Sequence, residues 1–264
     1  MKAIILAAGR GSRMKNLTDD KPKCLVKLHQ KPLLERQLES LRKSGINEIA
    51  IVIQVRLGSQ RIPQKMIKPF AGTTLTDIFM EKVKQCKSFP IENFYLSANE
   101  PELITIAKKH NVQVFLRSRE SATSEGTPMS LMYEWHNKIP HQYVILINAC
   151  VPFLKPETID AFVEEYKNSK ETGMFAVIEK KNYFWNENGK ILTPLSEDVM
   201  NTKTVGITYE AAHCLYASRL DTIKDGIWMG DFMKNEIKLF PVQEEEVQDI
   251  DYEWQFNLCE KLWK

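Results

Sequence analysis

The chain has 264 residues, 43% hydrophobic and 27% charged, enough for one large domain or two small ones with a core that needs no disulfide or metal staples. That composition excludes a disordered, collagen-like or disulfide-scaffold chain. Lys+Arg number 36 and Asp+Glu 34, a net charge of +2, so no general field draws nucleic acid or an anionic membrane, and an anionic ligand must be met by a local cluster. The five cysteines, Cys24, Cys86, Cys150, Cys214 and Cys259, are scattered without CxxC spacing, which reads as a reducing compartment. The N-terminal apolar run stops at Gly9-Arg10-Gly11 and reads as a strand, not a signal peptide. No run approaches the roughly 18 apolar residues of a membrane span, and a cytoplasmic protein is expected.

In chain order, buried strands are expected at Ala3–Ala8, Ile49–Val55, Phe94–Ser97, Val112–Phe115, Tyr143–Asn148, Met174–Ile178, Cys214–Ala217 and Ile237–Val242. The first helix starts at Pro32, carries Leu33, Leu34, Leu38 and Leu41 on one stripe, and stops at Gly45. Further helices are expected at Leu75–Lys84, Pro101–Lys109, Pro128–His136, Pro156–Lys167 and Glu253–Leu262. Strand–helix alternation of this kind predicts an α/β fold with a mostly parallel sheet. The segment Asn182–Lys203, rich in Asn, Gly and Pro turns, breaks the rhythm and is expected to form an inserted arm.

One pattern occurs twice: strand, basic Gly/Ser loop, Lys and Pro, helix. The first copy holds Gly9, Gly11 and Arg13, then Lys21-Pro22-Lys23; the second holds Arg56, Gly58, Ser59, Arg61 and Lys65. Small residues after a strand expose backbone N–H groups to a phosphate, Arg offers a planar fork and Lys a mobile charge. A solvated surface loop is the bland reading. It weakens for the second copy, because its cations follow a strongly apolar strand at the end where α/β sheets bind ligands.

The second loop, Arg56-x-Gly58-Ser59-x-Arg61-Ile62-Pro63-x-Lys65, resembles the signature of the cytidylyltransferases that make CMP-activated acidic sugars, the CMP-sialic, CMP-legionaminic and CMP-Kdo synthetases. The resemblance continues through Tyr143–Asp160, Phe184-Trp185-Asn186, Cys214-Leu-Tyr216 and Gln248-Asp249-Ile250-Asp251, and covers residues 49–264 in order. The first 48 residues are similar instead to the opening of nucleotidyltransferases that act on sugar 1-phosphates and phosphocholine. Both resemblances imply a Rossmann-like three-layer nucleotidyltransferase sandwich. Residues 49–264 would form the transferase domain, the 182–203 arm would make a homodimer, and residues 1–48 would be an extra strand–loop–helix docked on it.

Asp249 and Asp251 are two apart; on a strand they face one side, and two carboxylates beside substrate phosphates suit Mg²⁺. The alternative is that Asp251 caps the next helix and Asp249 is solvated. The resemblance favours the metal. It also marks two departures: Gln255 stands where the family usually has a further Asp, and Asn148-Ala149-Cys150-Val151-Pro152 lacks the metal Asp of the Kdo branch. Asn148 retains an amide that can bond a base or ribose. Cys150 is expected to pack, His213 to be structural, and Glu244–Glu246 to be a solvated turn; Arg117 is a candidate nucleotide contact.

The reading that follows is transfer of CMP from CTP to an acidic sugar. Arg56, Arg61 and Lys65 act on the phosphates, Gly58, Ser59, Asn148 and Arg117 bind nucleotide, and Asp249 and Asp251 hold Mg²⁺. An alternative places the nucleotide at Gly9, Gly11, Arg13 and Lys23, with phosphocholine or a sugar 1-phosphate as acceptor. A third is a decayed transferase that only binds nucleotide or a partner.

Overall fold

The computed structural model describes residues 18, 20–36, 49–123, 127–169, 173–193, 201–230 and 237–263. The expected strand Ala3–Ala8, the candidate residues Gly9, Gly11 and Arg13, and the helix positions Leu38, Leu41 and Gly45 lie outside them. The chain divides into two compact units, Met1–Ile49 and Ala50–Lys264.

In the first unit a 3-10 turn at Lys23–Leu25 leads into a two-residue hairpin, β1 (Lys27–Leu28) against β2 (Lys31–Pro32). His29 and Gln30 both take left-handed φ, 48° and 67°, which matches the right-handed twist of a tight hairpin. Helix begins directly after Pro32, at residues 33–36, and the Arg36 guanidinium donates to Leu28 O at 3.0 Å.

The second unit is built on β3 (Ile49–Gln54), β4 (Phe94–Ala98), β5 (Gln113–Leu116), β6 (Tyr143–Ile147), β7 (Gly173–Lys180), β8 (Thr208–Arg219) and β9 (Ile237–Val242). They form one sheet in the order β5-β4-β3-β6-β8-β7-β9. β3, β4 and β5 run parallel, as do β7 and β9, while β8 is antiparallel to both neighbours. In β3 the first five residues are all buried, the unbroken apolar run of a strand covered on both faces. The helices are α1 (Leu75–Gln85), α2 (Pro101–Lys109), α3 (Met129–Met132), α4 (Pro156–Asn168) and α5 (Glu253–Leu262). Proline occupies the first turn of α2 and of α4, where its missing N–H has no partner to lose. The Thr74 hydroxyl caps α1 by accepting from Asp77 N at 3.1 Å.

Three expectations change. The helix expected over Pro128–His136 is α3 followed by a 3-10 turn at Glu134–Asn137. Tyr133 stacks on Trp228 at 4.7 Å while Trp135 is fully buried, its indole N–H donating to Gln54 Oε1 at 2.8 Å. Residues two apart do not share a face of an α-helix, so the chain leaves α-helical geometry at Tyr133 to put both rings inside. The strand expected at Cys214–Ala217 is the middle of the twelve-residue β8. Between the pairs Phe175–Tyr216 and Val177–Ala211, one residue of β7 lies opposite four of β8, a wide bulge that contains His213. Finally, Glu246 is not solvated. It is buried, accepts from Lys155 N and the Thr158 hydroxyl at 3.1 and 2.6 Å, and pairs with Lys155 Nζ at 3.0 Å. Its carboxylate meets the unmatched N–H groups and positive dipole end of α4.

Gly173, at the head of β7, is required by close approach: a Cβ there would stand 1.7 Å from the Met229 carbonyl oxygen. That contact lays the Trp228–Met229 segment against the sheet.

Candidate active site

The loop after β3 is held from below by Glu100, which accepts Leu57 N at 2.7 Å. Gly58 is not in the left-handed region, and a Cβ built on it meets nothing within 4 Å. Neither backbone nor packing within the protein therefore demands a glycine at this position. The Ser59 hydroxyl accepts from Ile62 N at 3.4 Å and closes the turn.

The cations of this loop meet the acidic segment before α5. Arg61 Nη2 lies 2.8 Å from Asp251 Oδ1, with its guanidinium over the Tyr252 ring at 5.1 Å. The buried Lys65 donates to Ile250 O and stands 3.7 Å from Asp251 Oδ1. Arg56 donates to Ala122 O at 2.9 Å. Arg56, Ser59, Arg61, Lys65, Cys150 and Asp251 line a cavity of about 430 Å³.

The expectation that Asp249 and Asp251 lie on a strand is not met: residues 247–251 are irregular. The capping alternative also fails. Gln255 Oε1 caps α5 by accepting Asp251 N and Tyr252 N at 2.7 and 2.8 Å, which leaves the Asp251 carboxylate to Arg61. The Asp249 Oδ1 atom is buried with no hydrogen-bond partner, and Oδ2 accepts from Asn148 Nδ2 at 3.4 Å. Burial pushes the Asp249 carboxyl above its ordinary range, the Asp251 charge adds to the rise, and Lys65 and His213 oppose it. An orphaned carboxylate oxygen beside a second carboxylate is an open ligand position. Among the described residues no set of three or more His, Cys, Asp or Glu gathers around it, so a cation there would complete its shell with substrate or water oxygens, as Mg²⁺ commonly does.

Asn148 is committed inside the protein. It donates to His213 O at 2.8 Å and accepts Cys150 N on its own oxygen at 2.9 Å, so it positions the loop after β6. Lys82 of α1 steadies the same loop by donating to Leu154 O at 2.5 Å, and burial lowers its ammonium to about 8. Arg117 is buried, bonded through Nε to the Ser121 hydroxyl at 2.8 Å; burial, with neighbouring Arg56, brings it down to about 10. Cys150 packs as expected, 4.0 Å from the Met66 sulfur, and burial pushes its thiol up. Lys23 is exposed on the first unit's 3-10 turn.

Across Gln54 opens a second cavity, of about 730 Å³, which the sequence did not disclose. Tyr133, Phe175, Tyr209, Tyr216 and Trp228 wall it, and Asn148 and the exposed His213 also line it. Only Tyr216 was part of a recognised motif. The others come from four separate segments, and no spacing in the sequence announces that they converge.

Solved structures place the architecture in the class of Rossmann-like α/β folds. A CMP:2-keto-3-deoxy-manno-octonic acid synthetase complexed with CTP superposes with a TM-score of 0.61 at 14% identity, over 81% of this chain and 98% of that one. The 4-diphosphocytidyl-2C-methyl-D-erythritol synthase of Anaerococcus prevotii gives 0.58 at 13% identity, over 82% and 96%. The cytidylyltransferase family model matches residues 49–225, about two thirds of the chain, and the chain belongs to that family. A MobA-like NTP transferase domain model matches residues 3–61. Among curated relatives, the choline-phosphate cytidylyltransferase of Streptococcus pneumoniae is 55% identical over 53 residues, 20% of this chain and 23% of that protein. The 3-deoxy-manno-octulosonate cytidylyltransferase of Rickettsia felis is 30% identical over 127 residues, 47% and 49% of the two chains. The N-acylneuraminate cytidylyltransferase of Oncorhynchus mykiss is 28% identical over 173 residues, 63% and 40%. The chain thus spans between about a fifth and a half of the length of these relatives.

Proposed function

We propose that this chain transfers the cytidylyl group of CTP to the anomeric oxygen of an acidic, sialic-type sugar and releases pyrophosphate, with Mg²⁺ held at Asp249 and Asp251, in the synthesis of surface glycans. The observation that supports this above all others is the pairing of Arg61 with Asp251, 190 residues apart at 2.8 Å, which joins the cationic loop to the acidic segment. Transfer of a phosphoryl group asks mainly for positioning and for charge where charge develops. Arg56, Arg61 and Lys65 take the phosphate oxygens, with the Gly58–Ser59 backbone close against them. Arg117 and Asn148 fix the walls of the nucleotide site. The acceptor enters the aromatic cavity, its anomeric hydroxyl gives its proton to solvent as the oxygen bonds the α-phosphorus, and pyrophosphate leaves with the electron pair of the broken P–O bond. The two carboxylates fit Mg²⁺, which when bound draws charge from the α-phosphate. On this reading the 182–203 arm pairs two copies. The test is pyrophosphate release from CTP and Mg²⁺ with N-acylneuraminate-type acids; no release with any of them, from protein that still binds CTP, removes the acidic-sugar reading.

A second reading is favoured by the match of residues 3–61 to the MobA-like model and by the choline-phosphate relative. It keeps CTP and moves the nucleotide to Gly9, Gly11, Arg13 and Lys23, with phosphocholine as acceptor. Pyrophosphate release that depends on phosphocholine and is lost in Arg13→Ala, while Arg61→Ala is active, would select it.

A further inference from the structure

His213 breaks a local rule. It takes φ 50°, a left-handed conformation that crowds the Cβ of an L-residue and that glycine adopts freely. It sits inside the bulge of β8 rather than at a loop tip. Strained residues on bulges beside cavities are places where a side chain is kept despite what the backbone would prefer. The imidazole lines the aromatic cavity, with its ring edge-on to Phe175 at 6.0 Å and Nδ1 3.4 Å from the Tyr216 hydroxyl.

The polar inventory of that cavity points to the same residue. Its described lining includes no lysine and no arginine, and apart from tyrosine hydroxyls and the indole N–H of Trp228, which can only donate, its polar side chains are Gln54, Asn148 and His213. Gln54 Oε1 is taken by the Trp135 indole, and both ends of the Asn148 amide are bonded within the protein. The Nε2 atom of His213 has no protein partner among the described residues. A sugar entering apolar walls loses water from its hydroxyls and needs a partner for at least one of them.

We propose that His213 is a specificity-determining residue for the acceptor: its imidazole hydrogen-bonds a hydroxyl of the sugar inside the aromatic cavity. This rests on the acidic-sugar reading above. The experiment compares His213→Gly and His213→Asn with the unmodified protein, with N-acetylneuraminate as the acceptor probe. Thermal stability, CTP affinity by calorimetry, and acceptor KM and kcat from pyrophosphate release are measured. His213→Gly relieves the left-handed strain, so its melting temperature should hold or rise and its CTP affinity should not move, while acceptor KM rises about tenfold, the loss of one good hydrogen bond. His213→Asn, which tolerates this backbone and restores a polar group, should recover part of that loss. An acceptor KM within about twofold of the unmodified protein in His213→Gly overturns the inference and leaves the function standing. A KM rise accompanied by a falling melting temperature and weaker CTP binding also overturns it, since that is the mark of a structural residue. If the unmodified protein neither binds nor turns over any acidic sugar, the functional reading falls and takes this inference with it.

Discussion

The cavity at the end of β3 is walled by Arg56, Arg61, Lys65 and Asp251, whereas the one across Gln54 is walled by five aromatic rings. In the first, each cation already has an oxygen partner: Asp251 for Arg61, the Ile250 carbonyl for Lys65, the Ala122 carbonyl for Arg56. On the proposed function, an arriving polyphosphate would exchange one oxygen for another and find the charges in place. In the second, the rings hold each other, Tyr133 on Trp228 at 4.7 Å and Phe175 against Tyr216 at 5.1 Å. On the proposed function, shape, stacking and the His213 imidazole would together select what enters there. The contrast fits the proposed function as a division of labour, in which charge would bind the group transferred and the aromatic cavity would select the group that receives it.

The sharpest way to break that division is Arg61→Ala. It should lower kcat/KM by about 10²- to 10³-fold, and added salt should weaken CTP binding far less in the variant than in the unmodified protein. A loss under about threefold would mean that the ionic cavity is not where the phosphates sit.

Asp77 sharpens the comparison from outside both cavities. Burial alone would raise its carboxyl, but hydrogen bonds from His110, Lys109 and Thr74 hold it at about 2. A carboxylate depressed in the folded state stabilises it above the unfolded value of about 4, and that contribution disappears as pH falls from about 4 towards 2. Asp77→Asn should therefore cost about 2 kcal/mol at neutral pH, flatten acid unfolding across that window, and leave CTP affinity unchanged. Denaturant titrations at pH 7 and pH 3 would show it.

Gly58→Ala should fold with an unaltered melting temperature, because nothing stands within 4 Å of the added methyl. If phosphate lies close against the Gly58–Ser59 backbone as proposed, the methyl should weaken CTP binding about tenfold, read by calorimetry, and unchanged binding would place the phosphates elsewhere. Smallest of all is Arg13→Ala, which should change turnover by less than about twofold if the second loop is the working one. A large loss there would transfer the chemistry to the first loop.

Much of the sheet was legible because its buried strands are unbroken apolar runs; Ile237–Val242 is found to the residue, and the helices Pro101–Lys109 and Glu253–Leu262 are as well. The loop at Arg56–Lys65 was legible through its small residues and clustered cations. The failures have physical causes. The helix over Pro128–His136 gave way because Tyr133 and Trp135 both needed the interior. Glu246 looked solvated beside two other glutamates, yet the start of α4, some 90 positions earlier in the chain, needed an acceptor. β8 read short because the bulge at His213 interrupts its alternation, and the aromatic cavity stayed hidden because its rings come from distant segments.

That bulge also governs how the aromatic cavity can change. Tyr209, Ala211 and His213 reach the cavity at every second position, and Tyr216 joins them three positions later, because the extra residues of β8 shift its register against β7. Loss or gain of one residue between 212 and 215 would turn half of the strand's contributions to the opposite face of the sheet. The ionic cavity draws none of its described lining from β8. On the proposed function, a single-codon deletion or insertion there would change which side chains an acceptor meets with no substitution at any contacting residue, and its reach towards the nucleotide would run through the His213 carbonyl that holds Asn148.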